Sequence, residues 1–273
     1  MRPTTLATLL ALLFTLFASA AQADAITCPR IVSQSPYITK SLQWLGLEAC
    51  IVGVSRYDTL ERPRTGGVLD PDAGIIAVLE PQLLFTSDWT PAATLAEVTP
   101  AQTRSYRLDG FGSMAQVEDN LRLIGHAAQL ADTETRVAQF HQQWRAAAHA
   151  VHGDGQRVLL LSSCSGTPYS FGRERWLSDL FTEAGFINVE SEAKIRHLRP
   201  GEEVATINAL IEQLQPQLLF IFERTLHSQC AFIKPKTPLR IISLDGEKFL
   251  HPAPVVLEGL AELASKRNEW SRQ

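Results

Sequence analysis

The sequence predicts an α/β protein of two lobes, each built on a parallel sheet, joined by one long α-helix with a ligand cleft between the lobes. Strands alternate with helices in each half, a helical stretch without strands separates the halves, and one helix–proline–strand segment occurs in both. The 273 residues are 45% hydrophobic and 20% charged, as in globular proteins. The net charge of −4 and the lack of a Lys/Arg block argue against a nucleic-acid surface.

The first series of elements begins with a short apolar strand at 30–34. Ser35 and Pro36 then predict a helix start, with Ser as N-cap and Pro at the first helical position, and Gly46 ends that helix. A strand at 51–54, a helix at 73–79 and a strand at 82–86 follow, and further helix and strand units extend through Arg107.

The second series begins with the continuous apolar strand 157–163. Helices are predicted at 173–184, 207–214 and 253–266, and strands at 217–222 and 240–244. Because helices separate successive strands, each half is expected to form a parallel sheet.

The stretch between the two series is helical throughout. After a helical segment at 113–130, apolar residues recur every three or four positions from 134 to about 151. At 1.5 Å per residue this is a rod of roughly 27–30 Å, long enough to join two lobes at a fixed separation. The alternative is an ordinary crossover helix within one continuous sheet. The predicted division is 1–23 leader, 24–112 N-terminal lobe, 113–153 helical connector and 154–273 C-terminal lobe.

An internal repeat supports two similar lobes. Residues 75–85 and 210–220 both run from a helix into the sequence Leu-x-Pro-Gln-Leu-Leu-Phe. Proline ends the helix and a buried strand follows at once.

The first 23 residues have the pattern of a secretory signal peptide. Arg2 precedes an apolar run at 6–17, and the segment ends in Ala-x-Ala at Ala23, where cleavage is expected. A membrane anchor is the alternative, but a helix that spans a membrane needs about 20 apolar residues, and the run at 6–17 is shorter. Cys28 is not preceded by a lipobox, so no lipid anchor is expected and the mature chain is predicted to be soluble.

The four cysteines are an even number in a chain that is predicted to be exported, which indicates disulfides. We favour Cys28–Cys50 and Cys164–Cys230, one bridge per lobe, over the two other connectivities. Free or metal-bound thiols are the alternative, although no close Cys pair of the zinc-binding kind occurs.

Motifs for catalysis are missing from the sequence. It has no Gly-x-Ser-x-Gly elbow, His-Glu-x-x-His, Walker A or dinucleotide-binding glycine motif. The histidines show no convergent metal-ligand pattern. His227 and His251 follow second-lobe strands, where they are candidates to reach a cleft, but a polar surface position is favoured for each. We therefore expect a binding protein with no catalytic residue, no resident cofactor and no bare metal site.

Ligands of open α/β sheets bind beyond the carboxyl ends of the strands, where aromatic and arginine residues recur in this sequence. Rings stack on flat ligands and arginine donates to oxygen-rich groups. Trp176 also fits a core position, because it shares one helix face with Leu180 and Ala184. For Tyr37 the alternative to a ligand contact is that it covers the helix start. The residues selected as ligand-binding are Tyr37, Arg56, Tyr57, Trp89, Tyr169, Phe171, Arg173, Trp176, Arg224 and His251.

Four segments carry a resemblance to a known family: RIVSQSPYITKSLQWLGLEACIVGVSRYD (30–58), LEPQLLF (79–85), FGRERWLSDLFTEAGFINV (171–189) and HPAPVVLEGLAELA (251–264). In their order and spacing the chain resembles the periplasmic binding proteins of ABC importers for vitamin B12, ferric siderophores and haem. The resemblance implies Rossmann-like lobes joined by one long helix, a ligand held between them and delivery to an inner-membrane permease.

The sequence departs from this family at the docking positions. The family has a glutamate on the first turn of a helix in each lobe, and Gly74 and Asn208 stand there instead. Neighbouring acidic residues are the expected substitutes, namely Asp72, Glu202 and Glu203.

The expected function is therefore that of a monomeric periplasmic carrier that captures a metal chelate. A corrinoid or a ferric siderophore is the first choice, and haem is the second, with Tyr37, His227 or His251 as axial ligand. The alternatives are a sensor subunit that is not coupled to a permease and an enzyme on the same fold.

Overall fold

The computed structural model describes residues 28–163, 167–223, 236 and 238–271. The predicted signal peptide and the predicted Cys164–Cys230 pair lie outside these residues. Within the described part of the chain, no helix is both long and apolar enough to cross a membrane.

The N-terminal lobe contains a four-stranded parallel sheet in the order β2-β1-β3-β4. Its strands are β1 (Ile31–Ser33), β2 (Ile51–Val54), β3 (Leu83–Ser87) and β4 (Arg104–Leu108), and its helices are α1 (Pro36–Trp44), α2 (Ala73–Val78) and α3 (Ala92–Val98). Ser35 is the N-cap of α1 and Pro36 opens the helix, as predicted.

The C-terminal lobe contains a larger sheet in the order β10-β9-β5-β6-β8, with β7 paired to β5. The strands are β5 (Arg157–Ser162), β6 (Tyr169–Ser170), β7 (Ile187–Asn188), β8 (Arg196–His197), β9 (Leu218–Glu223) and β10 (Arg240–Asp245). The helices are α6 (Trp176–Glu183), α7 (Ile207–Leu214), α8 (Gly246–Phe249) and α9 (Val256–Ser265). Strands β5, β7, β9 and β10 pair in parallel, whereas β6 is antiparallel to both β5 and β8.

Helix α6 begins three residues later than the sequence predicts. The backbone N–H groups of Arg173 and Glu174 donate to the carbonyls of Glu192 and Ala193 at 2.9 Å each. These residues are therefore held against another loop, and the helix starts at Trp176.

Two helices connect the sheets, α4 (Met114–Ala127) and α5 (Thr133–His149). The 17 residues of α5 span roughly 26 Å. Near its middle, the ring of Phe140 lies 5.5 Å from that of Trp44 on α1, and at its end His149 Nε2 lies 2.6 Å from Glu183 Oε1 on α6. One helix thus contacts both lobes.

The internal repeat has the same role in each lobe. Arg30, just before β1, donates its backbone N–H to the side-chain oxygen of Gln82 at 3.0 Å, and its guanidinium donates to a carbonyl at the end of α2. Arg157, at the start of β5, makes the equivalent bond to Gln217 at 2.8 Å, and its guanidinium donates to a carbonyl at the end of α7. The repeated glutamine therefore fastens each helix–strand unit to the first strand of its own sheet.

The predicted Cys28–Cys50 disulfide is present. It joins the residues that precede β1 and β2, with a sequence separation of 22. A closed loop of this length restricts the unfolded chain.

Replacing both Cys28 and Cys50 with alanine should lower the free energy of unfolding by about 3 kcal/mol, because the unfolded chain regains the entropy of the open loop. Urea unfolding of the two proteins measures the difference. The replacement is more specific than a reductant, which would also reduce the predicted Cys164–Cys230 bridge. A loss well below about 1 kcal/mol would contradict this role.

Candidate functional site

A cavity of about 520 Å³ lies between the lobes. One side is formed by the residues that follow β3 and β4 in the N-terminal lobe and by the start of α4. The C-terminal lobe contributes the loop before α6 and a residue before β8. The cavity is lined by Asp88, Trp89, Asp109, Phe111, Gly112, Ser113, Gln116, Glu174, Arg175 and Lys194. Its position beyond the strand ends is where an open α/β sheet binds ligands.

The wall on the N-terminal lobe follows from the pairing of β3 with β4. Ser87 and Leu108 are partners at the carboxyl ends of these strands, so the residues that follow them emerge side by side. The ring of Trp89 is stacked on that of Phe111, with centroids 4.8 Å apart and planes 16° apart. Trp89 is 57% exposed, which leaves ring surface available to a flat apolar ligand.

Phe111 also holds the floor of the cavity together. Its ring makes edge contacts with Tyr37 in the N-terminal lobe at 5.2 Å and with Trp176 in the C-terminal lobe at 5.4 Å. The backbone N–H of Trp176 donates to the carbonyl of Phe111 at 3.4 Å. Trp176 in turn lies against Phe171 at 5.7 Å. One aromatic chain therefore runs from the cavity wall into the core of the second lobe.

The wall on the C-terminal lobe is built from two segments that lie against each other. The backbone of the loop before α6 pairs with the segment that precedes β8, and an added Cβ at Gly172 would lie only 2.0 Å from the carbonyl oxygen of Lys194. Only glycine allows this approach. Glu174 and Lys194 thereby reach the same cavity although 20 positions separate them.

A buried ion pair supports that wall from behind. The side chain of Glu190 is 0% exposed and that of Arg196 is 10% exposed, and Arg196 Nη2 lies 2.9 Å from Glu190 Oε1. Ser170 on β6 also donates to Glu190. Burial alone would raise the pKa of Glu190, but the hydrogen bonds from Arg196, the backbone of Glu192 and Ser170 outweigh it and lower the pKa.

A second, smaller cavity of about 20 Å³ is lined by residues of both lobes, near the end of β2 and the region after β10. This volume holds about one water molecule. His251 Nε2 lies 3.2 Å from Glu247 Oε2 beside it. The lining residues are Pro36, Lys40, Gln43, Tyr57, Asp58, Thr59, Glu247 and His251.

The selected residues fall into three groups. Trp89 lines the larger cavity, and Tyr57 and His251 line the smaller one. The third group lies in the core or bonds to protein groups. Tyr37, Phe171 and Trp176 are each 2% exposed, and the ring of Tyr169 lies 5.3 Å from that of Phe171. Arg56 is paired with Asp70, and Arg173 donates to the carbonyl of Ser191. Arg224 and His227 lie outside the described residues.

Tyr37 is committed to the protein itself. Its hydroxyl donates to the carbonyl of Leu108 at 2.8 Å, and burial raises its pKa well above the ordinary value. The phenol is therefore neutral, and its oxygen is held toward the end of β4.

Most of the residues that line the larger cavity are not among those predicted from the sequence. Asp109 and Phe111 closely follow the end of β4 at Leu108, so applying the strand-end rule to that strand identifies both. Lys194 has no such signal, because its position depends on the contact between two distant segments. Among the described residues, no group of three or more His, Cys, Asp or Glu side chains is arranged to hold a metal ion.

Comparison with known proteins assigns the fold to a family. The family model described as "Periplasmic binding protein" matches residues 31–228, and the chain belongs to this family. No curated protein sequence matches the chain.

Solved structures share the fold at low sequence identity. The periplasmic vitamin B12 binding protein BtuF of Vibrio cholerae has a TM-score of 0.69 at 18% identity, over 90% of this chain and 99% of that one. The periplasmic heme-binding protein RhuT from Roseiflexus sp. RS-1, in its apo form, has a TM-score of 0.71 at 22% identity, over 88% and 97%. The siderophore binding protein BauB, bound to ferric iron and two acinetobactin molecules, has a TM-score of 0.65 at 16% identity, over 87% and 93%.

Replacing Glu190 with glutamine should lower the free energy of unfolding by about 3 kcal/mol at neutral pH, because the guanidinium of Arg196 stays buried without its carboxylate partner. The lowered pKa of Glu190 means that its charge stabilises the fold above the unfolded-state pKa, and that this contribution is lost as the pH falls through the folded-state pKa. The difference in the free energy of unfolding between wild type and Glu190→Gln should therefore become smaller as the pH is lowered.

Urea unfolding at about pH 7 and about pH 3.5 tests both parts of this prediction. The matched control is Glu192→Gln, which removes a carboxylate that is 53% exposed and 3.3 Å from the same arginine. Glu192→Gln should lower the free energy of unfolding by less than about 1 kcal/mol. If the difference in unfolding free energy between wild type and Glu190→Gln is the same at both pH values, the lowered pKa of Glu190 is contradicted.

Proposed function

We propose that this protein is an exported, monomeric carrier that captures a metal chelate between its lobes and delivers it to an ABC permease in the inner membrane. The family membership and the predicted signal peptide support this proposal. Capture needs shape and hydrogen bonds but no covalent chemistry, in agreement with a sequence that lacks nucleophile–base motifs.

The observation that carries the proposal is the aromatic wall of the larger cavity. The stacked pair Trp89 and Phe111 offers a flat apolar surface beside charged side chains from both lobes. Flat or large chelates bury such a surface, whereas small polar solutes do not need it.

Among chelates, a corrinoid or a ferric siderophore is proposed ahead of haem. Tyr37 is a poor axial ligand, because its neutral hydroxyl is buried and donates to Leu108. His251 is 6% exposed and lies beside the smaller cavity, where about 20 Å³ cannot hold a porphyrin.

The first test is a binding titration of the mature protein with cobalamin, haemin and ferric siderophores, followed by absorbance and intrinsic tryptophan fluorescence. Saturable binding with a Kd below about 10 µM is expected for at least one of them. If none binds, a carrier of metal chelates is the wrong function.

Trp89→Ala should weaken binding of that chelate by about tenfold or more, because the ligand loses the exposed face of the stacked pair. The matched control is Val78→Ala, which also truncates an exposed apolar residue (82% exposed) but lies on α2 outside the cavity. An unchanged Kd for Trp89→Ala would place the ligand elsewhere.

We propose that docking on the permease uses acidic residues near Gly74 and Asn208, the positions at which the family has glutamates. Asp72 is the N-cap of α2, and its carboxylate accepts the N–H of Ile75 at 3.0 Å, so part of its bonding capacity is already used. Glu202 accepts from Arg199 at 2.9 Å. Glu203 is exposed and is the best placed of the three to meet a partner arginine.

Glu203→Lys should reduce uptake of the identified chelate by cells that express the protein and its permease, with no change in Kd, because charge reversal repels a basic docking site. Glu258→Lys, an exposed glutamate on α9, provides a control with the same charge change. Equal uptake by wild type and Glu203→Lys would contradict docking through this residue.

A further inference from the structure

The two walls of the larger cavity differ in charge. The wall on the N-terminal lobe has two carboxylates, Asp88 and Asp109. Within the described part of the chain, the side chains that bond to these carboxylates are uncharged: Ser87 Oγ donates to Asp88 at 3.0 Å, and Gln116 Nε2 donates to Asp109 at 3.3 Å. An ionised carboxylate has about four acceptor sites, so both side chains are able to accept further hydrogen bonds.

The opposite wall supplies donors. Arg175 and Lys194 line it together with Glu174, which leaves a net positive charge on that side. Arg175 Nη1 lies 3.5 Å from the carbonyl of Phe111, while its Nε is buried and has no hydrogen-bond partner within the described residues. A buried N–H of this kind is costly unless an acceptor from a ligand or water meets it.

A ligand that fits both walls has donors on one edge and acceptors on the other. Primary carboxamides supply both kinds of group, and a cationic amine supplies donors alone. A chelate whose periphery has only carboxylates or catecholate oxygens would set negative charge against Asp88 and Asp109, which is unfavourable.

We propose that the cavity selects a metal chelate that donates hydrogen bonds to Asp88 and Asp109, as a chelate with peripheral amides or an amine does, and discriminates against polyanionic chelates. A corrinoid, with its ring of carboxamides, is the ligand class that meets both walls. This inference rests on the proposed function and narrows it from metal chelates in general to those that are not anionic.

The experiment compares four probes on the full mature chain: cyanocobalamin, a ferric trihydroxamate with a free amine, haemin and a ferric tris-catecholate. Each is titrated against wild type, Asp88→Asn, Asp109→Asn and the double variant. The control is Glu212→Gln, which removes one negative charge from an exposed residue of α7 outside the cavity. Thermal melting verifies that each variant is folded.

Cyanocobalamin or the amine-bearing trihydroxamate should bind the wild type more tightly than either anionic probe. The double variant should weaken that binding by at least about tenfold, because two charge-assisted hydrogen bonds become neutral ones. Glu212→Gln should leave the Kd within about twofold. For the cationic probe, added salt should weaken binding to the wild type, a readout that needs no variant.

The sign of the variant effect separates the outcomes. If haemin or the tris-catecholate binds best and the double variant strengthens its binding, the inference is overturned while the carrier function stands. A donor-bearing chelate that binds with the same Kd in wild type and double variant also overturns it. If none of the four probes binds, the proposed function itself fails.

Discussion

The contact of Phe111 with its neighbours is the interaction on which the site depends. Its ring lies between Trp89 and Tyr37 of one lobe and Trp176 of the other, and its carbonyl accepts the N–H that opens α6. Phe111 therefore belongs at once to the aromatic wall of the cavity, to its floor and to the junction of the lobes. Because the carboxyl ends of β3 and β4 lie side by side, backbone pairing determines where this ring is placed.

Much of the architecture could be predicted from local sequence. Apolar spacing identified α5, and Val137, Phe140 and Ala148 are all 0% exposed. The repeated proline segment identified the same unit in both lobes, and the bonds of Gln82 and Gln217 give that repeat its physical reason. Both features leave a local pattern in the sequence, a helical period in one case and a repeated segment in the other, although the bonds of the glutamines join residues 52 and 60 positions apart.

The site was less predictable because its parts meet only through tertiary contacts. The two-residue strands β6 and β8 are too short to leave a periodic signal, yet they belong to the segment that carries Lys194 to the cavity. Their position depends on Glu190 and Arg196, two charged residues that composition alone predicts to be on the surface. Phe171 and Trp176, chosen as aromatic ligand contacts, instead form the packing that supports Phe111.

The long helix α5 has a consequence for how a bound ligand leaves the protein. A single rod that packs on both lobes, together with the aromatic junction at Phe111, holds the two walls near one spacing. A binding protein of this kind loses little conformational entropy on capture, so its ligand meets a preorganised site and departs slowly. For the proposed carrier function, rapid release then requires a partner that contacts both lobes and moves them apart.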